Sequence, residues 1–396
     1  MLDDNHGQSI KIMDFPDHQA PEGLLQKLQL RAAGKAAAPT ACSHRIAAAV
    51  YTDPARFEQE HDKLFLRYPQ VLGHTSQFPE TGDALVQDWL GLPLVTLRDR
   101  EGELGTFMNV CRHRGMRLLQ EPGQTRVRSL VCPYHQWTYG LDGKLRNIPR
   151  QESFADIDPA DFGLVRLPTE VRHGLIWMQA TPGETMDLDG HLAGLGADFD
   201  QLKLGEYRFC RQSVKDIACN WKLVQDAFLD GYHVVRLHKN TVGPFFPDAL
   251  AESSTHGRHV RSCVARNEIF EALELPPEAL DLRNHATFSY TLFPNVVVIF
   301  HPEYTSIISL FPQAADRTLF VHSMLTPREA TSDKERDHFE RSFELIDRGV
   351  FEAEDIFVSV GTQKGLRSGA NESLLFGSLE EPAVQFHHEI EAALAD

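Results

Sequence analysis

Two short segments of this chain, Cys111-Arg112-His113 and Cys132-Pro133-Tyr134-His135, each pair one cysteine with one histidine, and eighteen residues separate them. Two thiolates and two imidazoles in this mixed arrangement are the inventory of a [2Fe–2S] centre in which Cys holds one iron and His the other. The imidazoles raise the potential above that of an all-Cys cluster, so the pattern points to an electron carrier. Structural zinc also accepts two Cys and two His. Zinc sites, however, usually pair like with like at C-x2-4-C and H-x3-5-H spacing, whereas each arm here mixes the types and the first spacing is one residue. The ligand pattern therefore favours the cluster.

At 396 residues the chain is long enough for two domains with separate cores. Its 39 basic and 56 acidic side chains leave a net charge of −17, which repels phosphate backbones and argues against a nucleic-acid partner. No run of eighteen apolar residues occurs, and Met1-Leu2-Asp3-Asp4 lacks the basic and apolar regions of a secretion signal, so neither a membrane span nor export is indicated. The four cysteines outside the two arms, at 42, 210, 219 and 263, show no framework spacing and read as thiols in a reducing cytoplasm. Neither G-x-G-x-x-G after a strand nor G-x-x-x-x-G-K-[ST] is present, so NAD(P) and ATP are not expected to bind this chain by those motifs.

Organisation changes along the chain. Residues 1–45 become Ala-, Leu- and Lys-rich from Pro21 to Ala38, which predicts a helical lead-in. From Tyr51, short apolar runs at 92–97, 106–110 and 174–178, separated by turn signals, predict a small antiparallel β domain over 46–183. After a polar connector, Asn220 to Leu229 reads as a helix, Phe293 to Phe300, Tyr304 to Phe311 and Leu319 to Leu325 as strands, and Asp333 to Asp355 as a long charged helix. Strands and long helices in separate blocks make the second domain, 184–396, α+β.

Asp230-Gly231-Tyr232-His233-Val234-Val235-Arg236-Leu237-His238 carries a carboxylate and two imidazoles within nine residues. Asp230 and His233 share a helix face, but His233 and His238 lie about 140° apart round an ideal helix. For both to reach one ion the helix must widen or end between them, as a π-bulge or a terminal turn allows. Two surface histidines at a helix end are the plain alternative.

The runs Asn109-Val110-Cys111-Arg112-His113-Arg114-Gly115 and Cys132-Pro133-Tyr134-His135-Gln136-Trp137, the latter leading into Leu141-Asp142-Gly143, resemble the cluster loops of the Rieske non-haem iron oxygenase alpha subunits. The eighteen-residue gap is long for that family, and Gln136 stands where Gly is common. Asn220-Trp221-Lys222 followed by Asp230-x2-His233-x4-His238 resembles the family's mononuclear-iron segment, and Glu354-Asp355-Ile356 before Gln363-Lys364-Gly365-Leu366-Arg367-Ser368 its late carboxylate segment, with a departure at Gly361-Thr362. The resemblance implies that Cys111, His113, Cys132 and His135 bind the [2Fe–2S] cluster and that His233, His238 and Asp355 bind Fe(II), with the neighbouring Glu354 as the alternative carboxylate. Two His and one carboxylate leave open positions where O2 and substrate meet. Asp230 is then implied to link the iron site to a cluster histidine of a neighbouring subunit, with a surface ion pair as its plain reading.

By the same resemblance the fold is a Rieske domain plus a helix-grip catalytic domain on which the lead-in packs. The expected function is the terminal oxygenase of a multicomponent system, with NAD(P)H electrons arriving through a separate flavin reductase or ferredoxin. The expected reaction is mono- or cis-dihydroxylation of an aromatic or other small organic substrate; N- or O-demethylation of a quaternary amine or methoxy compound is the alternative, and electron transfer alone a third. A cytoplasmic homotrimer is implied, accompanied by a beta subunit in some members. The resemblance places pocket walls at positions that here include Phe228, Val296, Val298, Phe300, Ile307 and Phe311, residues that read at least as well as core; as a lining they would favour an apolar or aromatic substrate, with an aromatic acid or a quaternary amine as further alternatives.

Overall fold

Side chains of a strand point alternately to its two faces, and this period of two sorts both halves of the chain. In a computed structural model, residues 23–36, 40–154, 156–276, 279–280 and 282–395 are described. Of the lead-in, Leu24–Ala32 is helical and buries Leu24, Leu25 and Leu28; residues 1–22 and 37–39 lie outside the described residues.

The first half holds a five-stranded antiparallel sheet in the order Arg166–Leu167, Leu104–Met108, Leu94–Arg98, Asp83–Gln87, Gly123–Arg126. Ala84, Val86, Val95, Leu97 and Phe107 face one core, shared with Cys111, Cys132, Trp137 and Tyr139, whereas Leu85 and Leu104 face another with Phe78 and Ile176. Each Cys/His arm caps a narrow hairpin: Val110 bridges Arg117 round the first, and Leu130–Val131 pairs with Thr138–Tyr139 round the second. The long gap between the arms contains Gly123–Arg126, which adds an edge strand to the sheet. The strands expected from the apolar runs are present as Leu94–Arg98, Leu104–Met108 and Leu175–Met178.

The second half is built on a seven-stranded antiparallel sheet in the order Arg208–Ile217, Arg317–Thr326, Thr305–Ala314, Val296–Phe300, Ala286–Leu292, His259–Ala265, Ala251–His256. Phe288, Tyr290, Val296, Val298 and Phe300 pack on one face against the lead-in helix and the short helices Leu188–Leu192 and Gly196–Gln201. Val297, Ile308, Leu310 and Phe320 pack on the other face against Trp221–Phe228, the helical run after Asp333 and Glu381–Ala395. Arg208–Ile217 eluded the sequence reading because it is an edge strand whose residues are mostly part-exposed, leaving no apolar alternation.

The helix expected from Asp333 to Asp355 is longer and changes register. Asp333–Glu344 is α-helical, Leu345–Ile356 is π-helical, and Phe357–Arg367 is α-helical again before Gly369 turns the chain at φ +72°. The buried Asp347 fixes this run to the sheet, accepting hydrogen bonds from Ser213, from Lys215 Nζ at 2.7 Å and from His322 Nδ1 at 3.0 Å. A second buried pair joins the halves: Lys222 Nζ lies 2.5 Å from Glu60 Oε2, both side chains wholly enclosed, and Trp221 Nε1 donates to the same oxygen at 3.0 Å. Removing one partner of such a pair costs about 3–5 kcal/mol, because it strands a charge away from water. Among the described residues no helix is long and apolar enough to cross a membrane.

Three histidines are held neutral by enclosure. Burial pushes the pKa of His74 down to about 4 and that of His259 to about 4; burial, together with neighbouring His259, takes His191 to about 3. The unfolded chain protonates these rings near 6.5, so below that pH it binds more protons than the native state, and stability falls as pH drops from 6.5 toward 4. Melting followed by circular dichroism should give a midpoint that is flat above pH 7 and declines through this window; a level midpoint down to pH 5 would refute the assignment.

Candidate metal centres

The two hairpin tips bring their four side chains together. Cys111 and Cys132 are free, buried thiols, and the rings of His113 and His135 lie 4.7 Å apart between centroids. The Nδ1 atoms of both rings are enclosed without a hydrogen-bond partner. Buried polar atoms are ordinarily satisfied, so two orphaned imidazole nitrogens beside two free thiols fit a bound cluster. The rings are fixed from outside: Trp137 stacks on His113 at 4.9 Å and 6°, Phe154 meets both of these edge-on, and Tyr134 stacks on His135 at 3.7 Å. The turn that holds the second arm requires a left-handed residue, which is why glycine suits the position taken by Gln136, at φ +59°. Tyr139 was not foreseen from sequence. Its hydroxyl accepts from Arg112 N at 3.0 Å, leaving its proton for Cys111 Sγ at 3.3 Å.

The second group forms where helix Trp221–Phe228, capped by Asn220, has ended. His233 and His238 sit at the N-cap and C-cap of a single turn, Val234–Leu237, so the two histidines bound one isolated terminal turn, one of the arrangements that the five-residue spacing allowed. Asp230 lies outside any helix, its Oδ1 accepting from Tyr232 N at 2.5 Å, so the helix face expected to unite it with His233 is absent. The π-helical register occurs instead in the segment carrying the late carboxylates.

Donor atoms of His233, His238 and Asp355 all lie within 4.8 Å of one another. Asp355 Oδ1 stands 3.7 Å from His233 Nε2 and 3.4 Å from His238 Nε2, buried and without a hydrogen-bond partner. Glu354 turns elsewhere: its Oε2 accepts from His238 Nδ1 at 2.8 Å and from Thr241 Oγ1 at 2.7 Å. Asp230 Oδ2 approaches the opposite nitrogen of the other ring, 3.4 Å from His233 Nδ1. Burial works against a charged His238, but Asp355 and Glu354 prevail and raise its pKa, the signature of surplus negative charge that a cation would neutralise. Two Nε2 atoms and one carboxylate oxygen on one side, open space on the other, fit an iron facial triad.

The open space is a cavity of about 1280 Å³ that reaches His233, His238 and Asp355. Of the expected pocket walls only Phe228 lines it; Val296, Val298, Phe300, Ile307 and Phe311 are core residues. Period two is the reason for Val296, Val298 and Phe300, since the cavity meets the opposite strand position, Ile299, whereas Ile307 and Phe311 belong to the strand Thr305–Ala314, which lies outside the lining. Ser253, Ser262, Ser289 and Ile299 are successive cross-strand neighbours, as are Ala251, Val264 and Thr287, and all seven line the cavity.

Comparison with known proteins follows this division of the chain. The family description "Rieske [2Fe-2S] domain" matches residues 68–166, and "Ring hydroxylating alpha subunit (catalytic domain)" matches residues 204–396. The carnitine monooxygenase oxygenase subunit of Escherichia coli K12 is 26% identical over 331 residues, covering 82% of this chain and 84% of the relative. The biphenyl 2,3-dioxygenase alpha subunit of Rhodococcus jostii RHA1 is 32% identical over 190 residues, 46% of this chain and 41% of the relative. A solved structure of the quaternary ammonium Rieske monooxygenase CntA shares the fold, with a TM-score of 0.76 at 20% identity, covering 96% of this chain and 100% of that one. With both family descriptions matched in order on one chain, the protein belongs to the Rieske oxygenase alpha subunits, enzymes whose cofactors are a Rieske [2Fe–2S] cluster and a mononuclear non-haem iron.

Proposed function

We propose that this chain is the terminal oxygenase of a multicomponent Rieske system and that it oxygenates a small polar substrate, a methylated quaternary amine being the class that fits best. The observation that carries the substrate class is the hydroxyl row Ser253–Ser262–Ser289 on the cavity floor, with Thr287 Oγ1 buried and unpartnered beside it. A hydroxyl enclosed without a partner is costly, and a hydroxyl or carboxylate on the same molecule as the quaternary ammonium, which itself forms no hydrogen bond, relieves that cost where an arene does not. Phe228 and Tyr304 bring aromatic rings to the cavity wall, whereas the Arg266 guanidinium already lies 5.6 Å from the rings of Phe245 and Phe246, and the Glu303 carboxylate, paired with His338 Nε2 at 2.6 Å, lies in the same wall. The long match to a carnitine monooxygenase supports this reading. The shorter but closer match to a biphenyl dioxygenase supports cis-dihydroxylation of an arene as the second reading.

Cys111, Cys132, His113 and His135 are assigned to the cluster, and His233, His238 and Asp355 to the iron, on the donor distances and orphaned atoms described above. When bound, the iron supplies open positions at which O2 and substrate meet, and the cluster supplies electrons. Glu354 fixes the His238 tautomer by accepting its Nδ1 proton, which leaves Nε2 free as a ligand. Asp230 lies on the corresponding side of His233, 3.4 Å from Nδ1 without a hydrogen bond, and is assigned as the connection toward a cluster histidine of a neighbouring subunit in a homotrimer. Electrons are assigned to a separate reductase or ferredoxin, because neither nucleotide motif is present in this chain.

The purified chain, supplied with a reductase and NADH, should consume O2 with carnitine, choline or related quaternary amines and yield an oxygenated or demethylated product by mass spectrometry. A cis-diol from an arene, with no turnover of the amines, would select the second reading. Asp355→Ala should abolish turnover with the cluster spectrum intact, while Glu354→Gln should cost about 10–100-fold in activity or iron affinity, as loss of an orienting partner does. The reverse order would move the ligand role to Glu354. Asp230→Asn should retain iron and a reducible cluster yet lose turnover, since the charge that orients His233 is gone. Tyr139→Phe should lower the cluster midpoint potential by tens of millivolts, because a hydrogen bond to sulfur favours the more negative reduced state and ~59 mV corresponds to ~1.4 kcal/mol for one electron. A redox titration showing no shift would remove Tyr139 from that role.

A further inference from the structure

A second convergence of ligating side chains lies at the edge of the same cavity. Cys42, His44 and Glu381 present a thiol, an imidazole and a carboxylate oxygen, all within 4.8 Å of one another. Cys42 and His44 are two residues apart where the chain enters the strand Ser43–Ala47, so extended geometry directs both to one face. That strand pairs antiparallel with Ser373–Gly377, with His44 opposite Phe376. The chain then continues through one turn, Ser378–Glu380, into the helix Glu381–Ala395, which brings Glu381 against both. Glu381 Oε2 lies 3.2 Å from His44 Nε2 and 3.8 Å from Cys42 Sγ.

An exposed His–Glu ion pair explains the first of these distances and is worth little. The thiol reaches the same oxygen as a long S–H···O hydrogen bond, so the three donors already converge without an ion. Tetrahedral zinc, with bonds of about 2.0–2.3 Å, spaces its ligand atoms roughly 3.3–3.7 Å apart, so the three donors need only slight adjustment to hold one ion. Thiolate, imidazole and carboxylate together suit a borderline cation such as Zn2+ better than the hard, oxygen-loving Mg2+ or Ca2+. All three residues also line the cavity that reaches the iron-site histidines, as do Thr40, Ser378 and Leu379 around them.

We propose that Cys42, His44 and Glu381 form a three-ligand site for Zn2+ or a similar borderline divalent cation at the edge of the substrate cavity, with its fourth position open. Occupied, the site would tie the segment before the first strand to the last helix. It is separate from His233, His238 and Asp355, and it rests on none of the substrate assignments.

The test uses the full-length, iron-loaded enzyme titrated with Zn2+ by equilibrium dialysis, with zinc and iron both counted by elemental analysis. One zinc per chain should bind with iron content unchanged. Cys42→Ser and His44→Ala should each weaken that binding by at least about a hundredfold, the upper range for losing even an indirect partner of a metal. These side chains are exposed or part-exposed, so the variants should fold, which the visible cluster spectrum will verify. Equal zinc affinity in wild type and Cys42→Ser would overturn the site. So would zinc uptake matched by iron loss, which would place the zinc at the iron ligands. Anomalous scattering at the zinc edge from soaked crystals should give a peak between Cys42 Sγ and His44 Nε2, and its absence there would equally overturn the proposal.

Discussion

The carboxylates on one helix must face histidines that lie more than a hundred residues earlier in the chain, and a single buried aspartate makes that possible. Asp347 accepts from Ser213, Lys215 and His322, side chains of two neighbouring strands at one end of the seven-stranded sheet. Those hydrogen bonds hold its carboxyl well below the usual acid range despite burial, so it stays charged and attached. Asp347 lies in the π-helical segment that two turns later presents Glu354 and Asp355. Position along the sheet and rotation of the helix are therefore set at one anchor, and the carboxylate that faces His233 and His238 inherits both.

Adjacent acids on that segment divide two tasks. Asp355 points its unpartnered oxygen at both Nε2 atoms, while Glu354 reaches round to Nδ1 of His238 and to Thr241. Side chains one residue apart on a helix diverge by about 100°, which lets one face the open centre and the other grip a ligand from behind. His233 receives the corresponding approach from Asp230, which sits outside any helix. The site is thus a ring of three prospective ligands braced by two further carboxylates. The two halves of the chain are joined by the enclosed Lys222–Glu60 pair and by a core shared between Leu72, Trp89 and Met178 on one side and Trp221, Phe311 and Phe351 on the other.

The cavity owes its chemistry to strand parity. In the strand Ala286–Leu292, residues 286, 288, 290 and 292 join the core, and 287 and 289 meet the cavity. The core set is apolar and the cavity set is hydroxylic. A shift of one residue in register would exchange them, burying hydroxyls in the core and lining the cavity with aromatic rings. The sheet therefore fixes the polarity of this part of the cavity lining and the stability of the core through the same pairing.

Much was legible from sequence. The Cys/His arms and the apolar strands stood out because their spacing in the chain already matches the geometry of hairpin tips and strands, and the Asp230 to His238 segment because it gathers a carboxylate and two imidazoles within nine residues. The five-residue gap between histidines required a helix that widens or ends, and an isolated terminal turn is what forms. Parity of the strands relative to the cavity was not legible: Val298 and Ile299 are equally apolar in sequence, and only packing tells which side the helices leave open. The edge strand Arg208–Ile217, the hydroxyl of Tyr139 on Cys111, the anchor at Asp347 and the meeting of Cys42 and His44 with Glu381 are contacts across long stretches of chain. Local spacing constrains what neighbours along the backbone can do, and it decided the ligand types and the element types. Which carboxylate faces the metal, and what the cavity offers a substrate, depend on rotation and register, and those are set only when distant elements pack.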